Sequence, residues 1–504
     1  MNTFYLKERL NKKYIFPIEE KINYFPLDFI TLYKNIKSHF NNTIFFSIRQ
    51  QNQITTIVAV EPKIITLGNR ITQHSLIQIN KLFNNLKNKW NNKISIELID
   101  GKTTNSSYKE LLEKKGNYQT TFTGGLFFYA GFNTFNNYLT EQNKTINPKK
   151  VPTYALLFVD SAYEIALSKK KISIIHAIFS SKESLSHEIN QTKKKTDILK
   201  KILYQSQKTD KSKNSIYQDN YIRNNININS VLNEDIKNSL RKKIIDAKNS
   251  ITQKYLKQVN ISLNVKFKYT KELSNVYQFL LEKYCASYVF LYDINNMTFT
   301  GSSPEMLVKK EGKTCTIEPL SGSFPVSTNQ ELDKTYESQL LTSTKEKQEH
   351  NEIINEVKKD LKKVCKINTV IIHDKREILK LPYVQHLSTR ISGEIKQDYS
   401  CFDLIRNCFP PIAITGVPRN QAINIIEEIE ENKRITYGGG LGLIDFKGNC
   451  NIGVLIRTYH KHNKNQISLQ VGSKISSGSN VEDEKEEIIT KTKNLLKLLN
   501  EVKM

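Results

Sequence analysis

The segments ITYGGGLGLIDF (435–446), NIGVLIRTY (451–459) and ISLQVGSKI (467–475) decide how the chain is built. The first two are apolar runs around Lys447-Gly448-Asn449, which reads as a hairpin with a tight turn. The third is a further strand, and nothing between the first two leaves room for a crossover helix. Working outward, YVFLYDI (288–294), MTFTGSSPEMLVKK (297–310) and KTCTIEPL (313–320) read as consecutive strands with a turn at Ser302-Ser303-Pro304. KQVNISLNVKF (257–267) and ILKLPYVQHLSTRISGEI (378–395) are also strand-like. Helical periodicity marks 231–251, 343–365, 422–431 and 481–502.

The amino-terminal part reads as mixed α and β. Residues 43–60 look like two strands around a polar turn, 75–90 a helix, and 154–179 a hairpin. FTGGLFFYAGF (122–132) looks like a Gly-punctuated, aromatic-rich strand pair. The expected organisation is an amino-terminal region 1–190, a polar linker or surface excursion 191–229 with a short helix near 196–206, and a carboxy-terminal region 230–504.

The 504 residues carry 75 Lys plus Arg against 50 Asp plus Glu, a formal charge of +25. A nucleic-acid surface would cluster its cations and interleave stacking aromatics. Here Lys is scattered in twos and threes among Asn and Ile, so the charge is compositional background and no nucleic-acid partner is expected. No apolar run approaches the ~20 residues of a membrane span. Six cysteines without a CxxC pair argue against zinc and disulfides, and the expected location is the reducing cytoplasm.

Two acidic helices stand out. Glu346 and Glu349 share one helix face, and Glu484 and Glu487 share another, with Lys491 one turn further on. Such faces are commonly just solvated. Converging, they would make an oxygen-only site of the kind Mg²⁺ takes. Gln258, Glu305, His386 and Arg457 are polar residues in or beside strands whose packing prefers apolar ones. A buried Arg in VLIRT needs an anion or carboxylate partner. The glycines of GGGLG and SGS can bring backbone N–H groups close to a carboxylate.

SSPEMLV, EPLSGS, KEKQEHNEIINEV, LPYVQHLSTRISGEI, CFPPIAITGVPRNQAINIIEEIE, YGGGLGLIDFKGN, IRT and SGSNVEDEKEEIITKTKNLL follow one another over about half the chain. Their order resembles the chorismate-utilising enzymes: anthranilate synthase component I, aminodeoxychorismate synthase component I, and isochorismate and salicylate synthases. The resemblance implies an α+β sandwich of two large, mostly antiparallel sheets flanked by helices. It implies Mg²⁺ on Glu349 and Glu487, with Glu346 and Glu484 holding metal-bound water. It places Glu305 as the general acid on the departing C4 hydroxyl of chorismate and His386 in ring chemistry and pyruvate elimination. Arg457, Tyr437, Lys491 and backbone groups at Gly322 and Gly472 become contacts to the pyruvyl carboxylate.

Water-using members carry a Lys base where Gln258 stands, so the resemblance points to ammonia, supplied by a separate glutamine amidotransferase. The favoured product is anthranilate with loss of pyruvate. Aminodeoxychorismate, suggested by QVNIS, and isochorismate, suggested by Ala413, remain alternatives. Lys474 replaces the third residue of the family's GAG loop, which would hinder a backbone approach to the substrate. Together with Ala413 it motivates a further reading, a catalytically degraded member that acts as a binding scaffold.

Overall fold

The computed structural model describes residues 14–50, 53–68, 73–89, 96–97, 122, 124–135, 153–180, 185–208, 226–253, 256–284, 286–381, 384–431 and 433–502. Two sheets hold the strands. In the first, twelve strands lie in the order Gly416–Val417, Gln258–Lys268, Gln466–Ser476, Thr458–Asn463, Met297–Ser303, Tyr288–Ile294, Thr43–Gln50, Gln53–Val60, Ser161–Ala166, Lys171–Ser180, Tyr14–Ile22 and Ile96–Glu97. In the second, the order is Leu320–Pro325, Val384–Glu394, Thr314–Glu318, Met306–Glu311, Cys450–Leu455, Gly439–Asp445, Gly125–Ala130, Tyr154–Val159 and Lys63–Gly68. Ile371–Lys380 pairs onto Val384–Glu394 beside this path. The pairing is antiparallel except between Tyr14–Ile22 and Ile96–Glu97. The two-sheet α+β architecture expected from the resemblance is the one found. Among the described residues no helix is long and apolar enough to cross a membrane.

The proposed division at 190 and 230 does not separate two bodies. Thr43–Gln50 pairs with Tyr288–Ile294, and Gly125–Ala130 pairs with Gly439–Asp445, so both halves of the chain share both sheets. Residues 191–205 belong to the helix Leu185–Gln205, which buries Leu199, Ile202 and Leu203 beneath its lysines. A stripe of apolar residues at helical spacing outweighs the polar composition there. Residues 209–225 of the expected linker lie outside the described residues.

Two further expectations are corrected. Residues 122–132 contain one strand, Gly125–Ala130, followed by a short 3₁₀ turn, Phe132–Thr134. A side chain at Gly131 would meet the Ile435 carbonyl at 2.3 Å, so the chain bends away against a neighbouring backbone. Within the strand-like 378–395, residues 378–380 end the strand Ile371–Lys380 and 384–394 form Val384–Glu394, paired antiparallel to it.

An aromatic-rich core lies between the sheets and draws on both. Phe46 and Phe127 meet edge to face at 5.9 Å, and Tyr292 stacks on Phe299 at 4.7 Å. The largest core packs helices such as Leu185–Gln205, Glu234–Gln253, Leu273–Lys283 and Val481–Glu501 with strands of the first sheet. Another packs Thr344–Val364 and Cys401–Cys408 with the second.

Two neighbouring strands leave one sheet and enter the other together. Met297–Ser303 of the first sheet continues through Pro304-Glu305 into Met306–Glu311 of the second. Beside it, Cys450–Leu455 of the second continues through Ile456-Arg457 into Thr458–Asn463 of the first. At this seam the Val454 N–H donates to the Glu305 carbonyl at 3.0 Å. Arg457 adopts φ +51°, a left-handed conformation uncommon for a residue other than glycine and concentrated at functional sites.

Because Phe46 is fully buried between the sheets, Phe46→Ala should cost about 3–5 kcal/mol in urea unfolding. A loss below about 1 kcal/mol would show that the layer between the sheets is not a close-packed core.

Candidate active site

The seam opens into a cavity of about 260 Å³. Every site residue predicted from the sequence except Gln258 lines it: Glu305, His386, Tyr437, Arg457, Gly322, Gly472, Lys491, Glu346, Glu349, Glu484 and Glu487. Gln258 is fully buried on the adjoining strand, opposite Ser476, and neither polar atom of its side chain has a hydrogen-bond partner.

Glu305 follows Pro304 directly at the crossover and is almost fully buried. Desolvation pushes its carboxyl up to about 8, with the Arg457 cation pulling the other way. Glu305 is therefore mainly protonated at neutral pH and able to give a proton. Arg457 is itself lowered to about 10 by burial, with Glu305 opposing.

His386 lies between two partners that fix its tautomer. Nδ1 is 2.6 Å from the Gly322 carbonyl, which can only accept, so Nδ1 carries the proton. Nε2, 3.2 Å from Arg457 Nη2, then accepts. Burial, reinforced by Arg457, lowers His386 to about 3, so the ring is neutral. This arrangement makes His386 a fixed acceptor that aims the Arg457 guanidinium. Gly322 supplies its carbonyl from φ +67°, where a Cβ would lie 2.7 Å from Leu340 and 3.0 Å from Glu346.

Opposite, the Tyr437 hydroxyl donates to Asn260 Oδ1 at 3.2 Å. Gly472 sits beneath both, and a Cβ there would be 2.5 Å from the tyrosine hydroxyl and 2.7 Å from Asn260 Oδ1. Arg434 supports this wall from behind. It donates to Glu430, to the Ile414 carbonyl and to the Asn260 carbonyl. Its guanidinium also packs over the Phe132 and Tyr437 rings at 4.7 and 5.1 Å. Glu430 in turn accepts from the Ser262 N–H and hydroxyl, both at 2.8 Å.

The acidic helices Thr344–Val364 and Val481–Glu501 do face the same cavity, and their first turns are fixed by Ser343 and Asn480 as N-caps. Three of the four carboxylates, those of Glu349, Glu484 and Glu487, are held by the protein's own donors. Lys474 Nζ is 2.6 Å from Glu349 Oε2, and the Ser476 hydroxyl donates to Glu349 Oε1 at 2.8 Å. Lys345 reaches across to Glu484 at 3.0 Å, which also accepts from Ser473 and Ser479. Lys491 pairs with Glu487 at 2.5 Å. Among the described residues no three His, Cys, Asp or Glu side chains converge as a metal site. The expected Mg²⁺ ligand Glu349 has both oxygens engaged, one by a cation. The arrangement does not fit the ion.

Asn260, Arg434, Lys345 and His350 were not singled out in the sequence as site residues. Asn260 could have been, since it lies two residues beyond Gln258 on the same strand face. His350, bound to Ser321 at 2.5 Å and Thr389 at 2.8 Å, ties the first acidic helix to the second sheet. Arg434 pairs locally with Glu430 at i, i+4 spacing, but its Asn260 and Phe132 partners, and the Ser321 and Thr389 partners of His350, are distant in sequence and no local spacing announces them.

The family model described as chorismate binding enzyme matches residues 72–497. The chain is 26% identical over 411 residues to anthranilate synthase component 1 of Aquifex aeolicus, covering 80% of this chain and 81% of that protein. It is 28% identical over 380 residues to anthranilate synthase component 1 of Acetivibrio thermocellus, covering 75% and 76%. Among solved structures it resembles the menaquinone-specific isochorismate synthase of Escherichia coli, with a TM-score of 0.65 at 17% identity over 98% of each chain. It also resembles anthranilate synthase component I of Streptococcus pneumoniae, with a TM-score of 0.61 at 18% identity over 90% of this chain and 92% of that one. The structural likenesses establish the fold.

The Arg434–Glu430 pair is buried, with side chains 1% and 5% exposed. Arg434→Met leaves the carboxylate without its cation and should cost about 3–5 kcal/mol by chemical denaturation. Adding Glu430→Gln should return part of the loss. An unchanged unfolding midpoint in the single variant would refute this role.

Proposed function

The chain belongs to the chorismate binding enzyme family, and from that premise we propose that it aminates chorismate, releasing anthranilate and pyruvate. Ammonia would come from a separate glutamine amidotransferase subunit, in keeping with the designation component 1 of its relatives. The observation that carries the reading is a buried Glu305 sharing one cavity with an Arg457 held by the His386 ring.

Arg457 and Tyr437, with backbone groups at Gly322 and Gly472 and the Lys491 ammonium, bind the pyruvyl carboxylate. The Asn260–Arg434 wall that backs Gly472 and Tyr437 supports this reading. Glu305 donates its proton to the C4 hydroxyl as it leaves. Hydroxide is a poor leaving group, and a positioned acid contributes about 10²–10⁴-fold. Ammonia brings its own lone pair. Water would need a base, and Gln258, an amide, is not one at neutral pH. The retention of acid, histidine and arginine in a single cavity favours an enzyme over a scaffold. A second reading, isochorismate synthase, is favoured by Ala413, which lines the same cavity.

Incubation with chorismate and ammonium, with and without added Mg²⁺, followed by mass analysis should yield anthranilate. Isochorismate formed without ammonium would overturn the amination. Aminodeoxychorismate in place of anthranilate would reassign the chain to the aminodeoxychorismate synthase type.

The pH profile provides an independent check. The acid is present below its pKa and lost as pH rises through about 8, so kcat should fall on the alkaline side of that value. Glu305→Gln should lower kcat by about 10²–10⁴-fold and abolish this alkaline limb. A limb that persists in the variant would assign the titration to another group.

A further inference from the structure

The four cavity carboxylates lie between two helices and the strand end Gly472–Ser476. Glu349 and Glu484 are buried and Glu346 is half-buried, where like charges repel strongly and a cation is required among them. Lys345 and Lys491 rise from the helices themselves and pair with Glu484 and Glu487. Lys474 is different, because it comes from the strand. It lies opposite Asn260 in register, on the same face as Gly472 and Ser476, so its side chain enters the cavity. That side chain is only 14% exposed, and its ammonium ends 2.6 Å from Glu349.

Glu349 is thus satisfied on both oxygens by this one strand, through Lys474 and Ser476. A divalent ion binding there would have to displace a close, poorly solvated ion pair and bring a second cation up against the Lys474 ammonium. The coordination chemistry of Mg²⁺ asks for free oxygen ligands at close range. Meanwhile the ammonium has three donor hydrogens, so after pairing with Glu349 it can still present one to an anion entering the cavity.

We propose that Lys474 is a built-in cation that takes the place of a divalent metal at the four-glutamate cluster, so that this chain has given up tight metal binding there. The inference deepens the chorismate reading, since it concerns the same cavity, but its test needs no chorismate. Mn²⁺ alone is titrated into the full chain and followed by electron paramagnetic resonance, for the wild type, Lys474→Gly and Lys474→Gln. Circular dichroism checks that each is folded, and the glutamine variant keeps the volume should the glycine one fail to fold. The expected result is Mn²⁺ affinity at least tenfold higher in the folded variants than in the wild type. Adding Glu349→Gln to either variant should remove the gain. Equal affinities, or no binding by the variants, would overturn the proposal. Failure of the amination assay would leave this comparison standing, so the two readings fail separately.

Discussion

The hydrogen-bonded partnership between residues 297–311 and 450–463 is the constraint on which the rest of the molecule depends. Two strands that stay neighbours while passing from one sheet to the next must bend together. At the bend, ladder pairing gives way to a single contact, the Val454 N–H on the Glu305 carbonyl. Side chains there face a cavity that the helices Thr344–Val364 and Val481–Glu501 also line, which is why a carboxylic acid and a guanidinium separated by 152 positions in the chain open onto the same space.

Burial at this seam also sets the chemistry. Water exclusion raises Glu305, lowers Arg457 and keeps His386 neutral, and each shift has desolvation as its largest cause. An acid that stays protonated at neutral pH, beside a cation whose direction is fixed by a neutral imidazole, is suited to releasing hydroxide and holding a carboxylate. The general +25 charge contributes little to this arrangement. What matters is a handful of cations with defined partners, while the excess lysines ride on helix surfaces such as that of Leu185–Gln205.

Much of this was legible in the residues. Strand alternation and turn chemistry around 435–475 announced antiparallel pairing, because local propensity and tertiary burial agree there. Arg457 in an apolar strand and Glu305 after Ser-Pro were conspicuous because packing alone would not place charges in those positions. The acidic helix pairs were visible at i, i+3 spacing, but their engagement by Lys474 and Lys345 was not, since a cross-element ion pair leaves no local period. The short helix expected near 196–206 lies within Leu185–Gln205, but its earlier turns were read as linker because a lysine-rich composition hid a narrow apolar stripe. The two regions share both sheets because strand partners are chosen by burial and register and not by proximity along the chain.

That last point bears on how the molecule comes into being. Thr43–Gln50 waits for Tyr288–Ile294, and Gly125–Ala130 waits for Gly439–Asp445, so during synthesis the early strands leave the ribosome long before one edge of each can be covered. Their side chains are among the most apolar and aromatic of the chain, and uncovered edges of that kind recruit other strands. Sequence-distant pairing of this order makes folding slow. Until those partners arrive the early strands stay open to association, so conditions that keep nascent chains apart favour correct pairing.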